Sequence, residues 1–155
     1  MSVPQLGGCE CAEIRYRLTS DPVTLYACHC TDCQTATGSS FALSMFVTRD
    51  SIELLQGEPQ LREFDLPDGR KRRAFVCPRC GTQLWSDRRR LPNLLNLQPG
   101  TLDDTSWFQP IGHIWTRSAQ HWVTIPPDAL RYEKQPDDPL PLVQAWKSRD
   151  ARSSR

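Results

Sequence analysis

The chain has 155 residues, of which 24% are charged, and a net charge of +1. That balance speaks against a nucleic-acid binder held by bulk charge. No apolar run approaches the roughly 20 residues of a membrane span, and the start, "MSVPQLGG", lacks the basic and apolar regions of a secretory signal. These features predict a single cytoplasmic domain.

In chain order, short segments alternate apolar and polar residues at period two, as half-buried strands do. "EIRYRLT" sets Ile14, Tyr16 and Leu18 on one face, and "PVTLYAC" does the same for Val23, Leu25 and Ala27. A short helical turn from Asp32 to Thr37 follows, ended by Gly38, with Thr31 or Asp32 as its cap. "FALSMFVT" and "SIELL" are the next strands, and Phe41 and Phe46 are expected in the core. Gly57-Glu58-Pro59 and Pro67-Asp68-Gly69 are turn formers, and "LPDGRK" between Phe64 and Phe75 predicts a hairpin turn. "RRAFVC", "TQLWS", "NLLNLQ" and "GHIWTR" complete the strands. "EKQPDDPLP" is a proline-rich connector to a second helix, "PLVQAWKSR", near residues 140 to 149, and "RDARSSR" has the composition of a disordered tail. The organisation is therefore mainly β: one main domain over residues 1–135, then a C-terminal helix and tail over 136–155.

Seven cysteines in a cytoplasmic chain suggest metal ligands or catalytic thiols, and the odd count is a further argument against a disulfide framework. They fall into three groups: Cys9-x-Cys11, Cys28-x-Cys30-x-x-Cys33 and Cys77-x-x-Cys80. "CPRCG" has the form of a zinc knuckle, with backbone N–H groups aimed at the sulfurs and Gly81 at positive φ. A closed structural site needs four thiolates, so Cys77 and Cys80 are paired with Cys9 and Cys11. Cys28, Cys30 and Cys33 then hold a second zinc with one tetrahedral position open, the mark of a catalytic rather than a structural site.

Other arrangements are compatible with the spacing. Cys9 and Cys11 can join the triad instead, or His113 or His121 can close the triad's fourth position. A redox pair at Cys30–Cys33 or Cys77–Cys80 lacks the surrounding βαβ pattern.

His29, between two ligands in an extended run, should face away from the metal. Gln34, Thr37, Gly38 and Ser39 are candidates for a pocket rim, with Gly38 equally readable as a helix C-cap. His113 and Trp115, two apart, are expected to share a strand face. Trp107, Phe108 and Trp122 suit a core or the wall of an apolar pocket. "RKRR", Arg70 to Arg73, and "DRRR", Asp87 to Arg90, are either solvated turns or anchors for an anionic substrate.

"GGCECAEIRY", "CHCTDCQTATGSSF", "FVCPRCGTQLW" and "TLDDTSWFQPIGHIW" together resemble the glutathione-dependent formaldehyde-activating enzyme family, which includes centromere protein V-like domains. The resemblance spans roughly residues 7 to 125. It implies a β-tent fold of twisted antiparallel sheets around a structural zinc at Cys9, Cys11, Cys77 and Cys80. It also implies a second zinc at Cys28, Cys30 and Cys33. The activity it implies is the joining of glutathione and formaldehyde to S-hydroxymethylglutathione, a carbon–sulfur lyase reaction read in reverse. The partner so implied is a small thiol or aldehyde adduct. The rival function is a zinc-stabilised module that binds a thiol or a protein without turnover, since fold alone does not separate the two.

Overall fold

A computed structural model of the chain describes residues 3–87 and 91–149. Arg88 to Arg90 of the "DRRR" run, and the expected tail beyond Arg149, lie outside the described residues. The strands are β1 (Gln5–Gly8), β2 (Arg15–Leu18), β3 (Thr24–Cys28), β4 (Ala42–Thr48), β5 (Ile52–Gln56), β6 (Gln60–Asp65), β7 (Lys71–Val76), β8 (Gln83–Asp87), β9 (Leu94–Leu97), β10 (Gly112–Ile114) and β11 (Leu130–Tyr132). The helices are α1 (Thr31–Thr37) and α2 (Leu140–Lys147). The protein is thus mainly β. The described residues fall into two compact units, those within Met1–Pro22 and Phe46–Trp107, and those within Val23–Met45 and Phe108–Arg155.

In the first unit, β2 lies between β1 and β5, antiparallel to both, with Leu18 opposite Gln5 on one side and Ile52 on the other. The alternation predicted for "EIRYRLT" is realised: Ile14, Tyr16 and Leu18 are fully buried. Each such side chain contributes roughly 1.5–3 kcal/mol by leaving water. The Tyr16 ring meets Trp85 of β8 edge-on at 5.7 Å. Its hydroxyl lies 2.6 Å from Thr101 Oγ1, which satisfies a polar group that burial would otherwise penalise. Strands β6 to β9 form an antiparallel run in sequence order. The predicted hairpin turn joins β6 and β7, closed by hydrogen bonds from Leu66 N to Arg70 O at 2.8 Å and from Gly69 N to Leu66 O at 2.9 Å. β1 escaped the sequence reading because "QLGG" offers two glycines and one apolar residue, a poor strand signal.

The second unit departs from the expected antiparallel pairing. β10 pairs in parallel with both β3 and β11, placing His113 opposite Ala27 and Arg131. All five residues of β3 are buried, so the alternation seen in "PVTLYAC" does not mark a solvent face. A strand covered on both faces is hydrophobic in the manner of a parallel-sheet core. Part of that cover is α2, whose Leu142, Ala145 and Trp146 are buried. Thr24 Oγ1 donates to Leu142 O at 3.2 Å. β10 ends at Ile114 because Trp115 adopts a left-handed conformation (φ 58°), so His113 and Trp115 do not continue one strand face. β11 is only three residues long and carries a charge in its centre, which hid it from a periodicity search.

Candidate metal centres

The first unit brings Cys9, Cys11, Cys77 and Cys80 together with all four sulfurs within 4.8 Å of one another. Two tight turns do this. Cys9 leaves β1 in a turn closed by Ala12 N to Cys9 O at 3.0 Å, and Ile14 N donates to Cys9 Sγ at 3.2 Å. The "CPRCG" turn is closed by Gly81 N to Cys77 O at 3.0 Å and Cys77 N to Thr82 O at 2.9 Å. Gly81 sits at φ 77°, the conformation predicted for it and one that a side chain would strain. Thr82 ties the two turns: its hydroxyl lies 3.1 Å from Cys80 Sγ and accepts from Glu10 N at 3.3 Å.

The sulfur spacing tests the fit to zinc. Four sulfurs at the usual 2.3 Å from a tetrahedral zinc are about 3.8 Å apart. Cys9 and Cys11 sulfurs are 3.6 Å apart, and Cys11 and Cys77 sulfurs 3.8 Å. The protonation equilibria agree. Hydrogen bonds from the Thr82 hydroxyl, then from the backbones of Thr82 and Cys11, lower the Cys80 thiol to about 6. Cys11 is favoured as thiolate by the Glu13 backbone, yet burial and the neighbouring Cys80, Cys9 and Cys77 sulfurs raise it to about 12. One thiol is primed to ionise and another resists, because like charges at this distance repel. A divalent cation removes that repulsion.

The second unit brings Cys28, Cys30 and Cys33 together within the same 4.8 Å limit. Cys28 ends β3, Cys30 caps α1, and Cys33 lies in the first turn of α1. The cap is Cys30 itself, whose sulfur accepts from Cys33 N at 3.3 Å, rather than Thr31 or Asp32. A thiol takes the place of the usual oxygen cap because its sulfur must face the same point as its two partners. Cys28 and Cys30 sulfurs are 3.5 Å apart, again near the zinc spacing. The Cys28 sulfur, followed by burial, raises the Cys33 thiol. Burial is also the main cause raising Cys30.

Among the described residues, no fourth His, Cys, Asp or Glu donor joins this group. His121 is exposed, and His113 is engaged elsewhere. Cys9 and Cys11 belong to the other cluster, so the mixed arrangement compatible with the spacing is not formed.

His29 does not join the three sulfurs and is fully buried. Its Nε2 lies 2.8 Å from His113 Nδ1, the two rings stack at 5.1 Å, and Phe41 packs against the first of them at 5.3 Å. One imidazole must donate and the other accept, so the acceptor must be neutral. Burial, then His29 and Arg131, push His113 down to about 4, and burial lowers His29 too.

The His29 backbone is also held. His29 N donates to Ile114 O at 3.0 Å, and His29 O accepts from Gln34 Nε2 at 2.8 Å and Ser118 Oγ at 2.9 Å. Gln34 Nε2 also reaches Ser118 O at 2.9 Å, and Gln34 Oε1 accepts from Gln120 at 2.8 Å. Of the expected rim, Gln34 is therefore a clamp on the ligand loop. Thr37 bonds back to Cys33 O at 2.8 Å. Gly38 is the C-cap of α1 at φ 61°. Ser118 and Gln120 were invisible in the sequence, because nothing local marks a serine or glutamine whose partner is over eighty residues away.

Trp122 is 64% exposed and lines no core, and Trp107 and Phe108 are half-buried. In the "RKRR" run, Arg70 pairs with Asp68, Lys71 with Asp65, and Arg73 with Glu63 and Asp87, while Arg72 lies over the Phe64 ring. These cations serve the β6–β7–β8 ladder.

Fold and site together define a mainly β, cysteine-rich class of protein, with two thiol clusters that could each hold a metal ion. The chain belongs to the glutathione-dependent formaldehyde-activating enzyme family, whose family model matches residues 5–118. A comparison with curated proteins gives no match. Among solved structures, a crystal structure of a Rhodobacter sphaeroides protein is similar, with a TM-score of 0.50 and 16% identity over 66% of this chain and 91% of that one. At that identity the likeness speaks for the fold alone.

Proposed function

We propose that the chain is a zinc-dependent carbon–sulfur lyase-like enzyme acting on a small thiol–aldehyde adduct of the S-hydroxymethylglutathione type. Cys9, Cys11, Cys77 and Cys80 hold a structural zinc in this reading, and Cys28, Cys30 and Cys33 are the catalytic ligand set. The observation that carries it is the three-sulfur cluster with no fourth protein donor among the described residues. Family membership supports the substrate class. A zinc ion bound there supplies an open coordination position that accepts sulfur or oxygen and lowers the pKa of what it binds.

The chain's own residues prepare that position. Cys33 N–H holds the Cys30 sulfur, favouring its thiolate. The Gln34–Ser118 clamp fixes the peptide between Cys28 and Cys30, so the sulfur triangle does not have to be ordered on binding. The His29–His113 pair fills the space behind the loop and keeps water from it. In the condensation, the thiol sulfur forms a bond to the aldehyde carbon and the carbonyl oxygen takes up the thiol proton. The reverse breaks the same C–S bond and returns the proton to sulfur. Held orientation of the two reactants is the main contribution such a site makes. The protein works in the cytoplasm, where glutathione keeps these cysteines reduced.

Exchange NMR of a glutathione–formaldehyde mixture tests the reading. Zinc-loaded protein should broaden the exchanging resonances at catalytic concentration, and Cys30→Ser should not. Binding of glutathione with no faster exchange would instead favour a carrier.

A further inference from the structure

We infer that Arg117 anchors a carboxylate of the thiol substrate beside the Cys28–Cys30–Cys33 cluster. The inference rests on the functional reading above and adds the recognition of charge to it. Arg117 lies in the 3₁₀ turn Thr116–Ser118, directly before the residue that clamps the ligand loop. Ser118 Oγ donates to His29 O at 2.9 Å, and Ser118 O accepts from Gln34 at 2.9 Å. His29 separates two of the cysteines and Gln34 adjoins the third. The turn that carries Arg117 is thus bonded to both ends of the triad loop. Trp115 sets the turn's direction through its left-handed backbone, a conformation that bulky residues rarely adopt.

The guanidinium itself is exposed and lies over the Trp115 ring at 4.8 Å. Among the described residues it has no ion pair and no hydrogen bond. A guanidinium stacked on an indole keeps its planar fork of N–H donors available and already oriented. That fork matches a carboxylate in two parallel hydrogen bonds. Pre-orientation lowers the entropy lost on binding. Of the other cations considered as anchors, Arg70, Lys71 and Arg73 are paired with acids and Arg72 lies over the Phe64 ring, all in the first unit, and Arg88 to Arg90 lie outside the described residues. In the second unit, Arg131 donates to Ile125 O and Pro126 O. A free thiol bearing carboxylates, such as glutathione, fits the open cation, whereas a neutral thiol gains nothing from it.

Calorimetric titration of zinc-loaded protein with glutathione and with glutathione diethyl ester tests this. Native protein should prefer glutathione by about ten-fold, the lower end for hydrogen bonds to a charged group at an exposed site. Arg117→Gln should bring the preference close to one while ester binding is unchanged, and Arg117→Lys should retain part of it. Added salt should shrink the native preference but not ester binding. Zinc content and the thermal melt should match native in both variants, since the side chain is exposed. If Arg117→Gln keeps the native preference, or loses ester binding equally, the anchor is overturned. If native protein binds both thiols alike, the thiol site stands and the anchor falls. If native protein binds neither, the functional reading itself fails and the anchor with it.

Discussion

The two thiol clusters use the same chemistry under opposite chain geometry. The four-sulfur cluster joins Cys11 to Cys77, sixty-six positions apart in sequence. The three-sulfur cluster takes all its members from the six residues "CHCTDC". Closing a loop costs entropy that grows with the logarithm of its length, so the long closure is worth about 2 kcal/mol more than the short one on that ground alone. Around the first cluster, backbone N–H groups and the Thr82 hydroxyl serve the sulfurs, and four thiols would fill every position of a tetrahedral metal. Around the second, the hydrogen bonds go largely to the peptide carrying the sulfurs, and three thiols without a fourth donor among the described residues would leave a tetrahedral metal one position open. On the proposed reading, a metal that closes the long loop would work for the fold, while a metal on the pre-built local loop would be free to work for chemistry.

Cysteine substitutions should break that contrast most sharply. Cys77→Ser is expected to leave the chain unfolded or insoluble, because structural zinc contributes on the order of 10 kcal/mol in small zinc peptides. Cys30→Ser should stay folded, with a Tm within a few degrees of native, since for a chain of this size each kcal/mol moves Tm by about 2–4 °C. Thermal melts of the two side by side are the measurement. Equal losses would mean that the structural and catalytic assignments are not separable.

Chelation sharpens the same contrast without mutation. Freshly purified protein should hold two zinc ions per chain. Graded chelator should remove one of them first, with the fold retained and the thiol chemistry lost. Elemental analysis paired with far-UV circular dichroism follows both quantities. Loss of both ions in a single step, together with the fold, would contradict the division of labour.

A smaller effect comes from the buried imidazole pair behind the triad. His113 is held near 4, below the ordinary value of about 6.5. Its folded pKa is the lower one, so the unfolded chain binds the proton first as pH falls. Its contribution to stability is therefore complete above about 6.5 and is lost as pH drops toward 4. Each pKa unit corresponds to about 1.4 kcal/mol. His113→Asn, which keeps a polar group where Nδ1 stood, should flatten that dependence. Denaturant unfolding of both proteins at pH 7 and pH 5 should show a smaller acid loss for the variant. Identical slopes would remove His113 from the account.

The smallest expected effects are at two glycines with the same backbone strain but different neighbourhoods. Gly38 and Gly81 both have positive φ, and an added Cβ would meet nothing within 4 Å at either. Gly38→Ala and Gly81→Ala should each cost about 1 kcal/mol from backbone strain. Gly81→Ala should in addition loosen zinc in the four-sulfur site, because Gly81 closes the turn between Cys77 and Thr82. Chelator half-times of the two variants separate strain from metal retention.

Much of this was legible in the sequence, because it is local. Cys28, Cys30 and Cys33 lie within one β-to-α turn, so their spacing alone brings the sulfurs together. The Cys77–Cys80 knuckle is likewise encoded by five residues, down to the positive φ of Gly81. Alternation in "EIRYRLT" announced its buried face because one side of that strand is covered by its own unit's core. Cys9 and Cys11 were assigned by elimination, and their approach to Cys77 is a tertiary fact. The parallel pairing of β10, the cover on both faces of β3, the His29–His113 contact and the Gln34–Ser118–Gln120 clamp carry no local signature. Each joins residues more than eighty positions apart or depends on which strand lies beside which. Short-range spacing sets what a few residues can bind, since their geometry is confined by the peptide between them. Long-range packing decides which histidine is buried, which glutamine holds the loop and which arginine is left facing solvent, because those outcomes are settled by competition among partners that only the folded chain brings within reach.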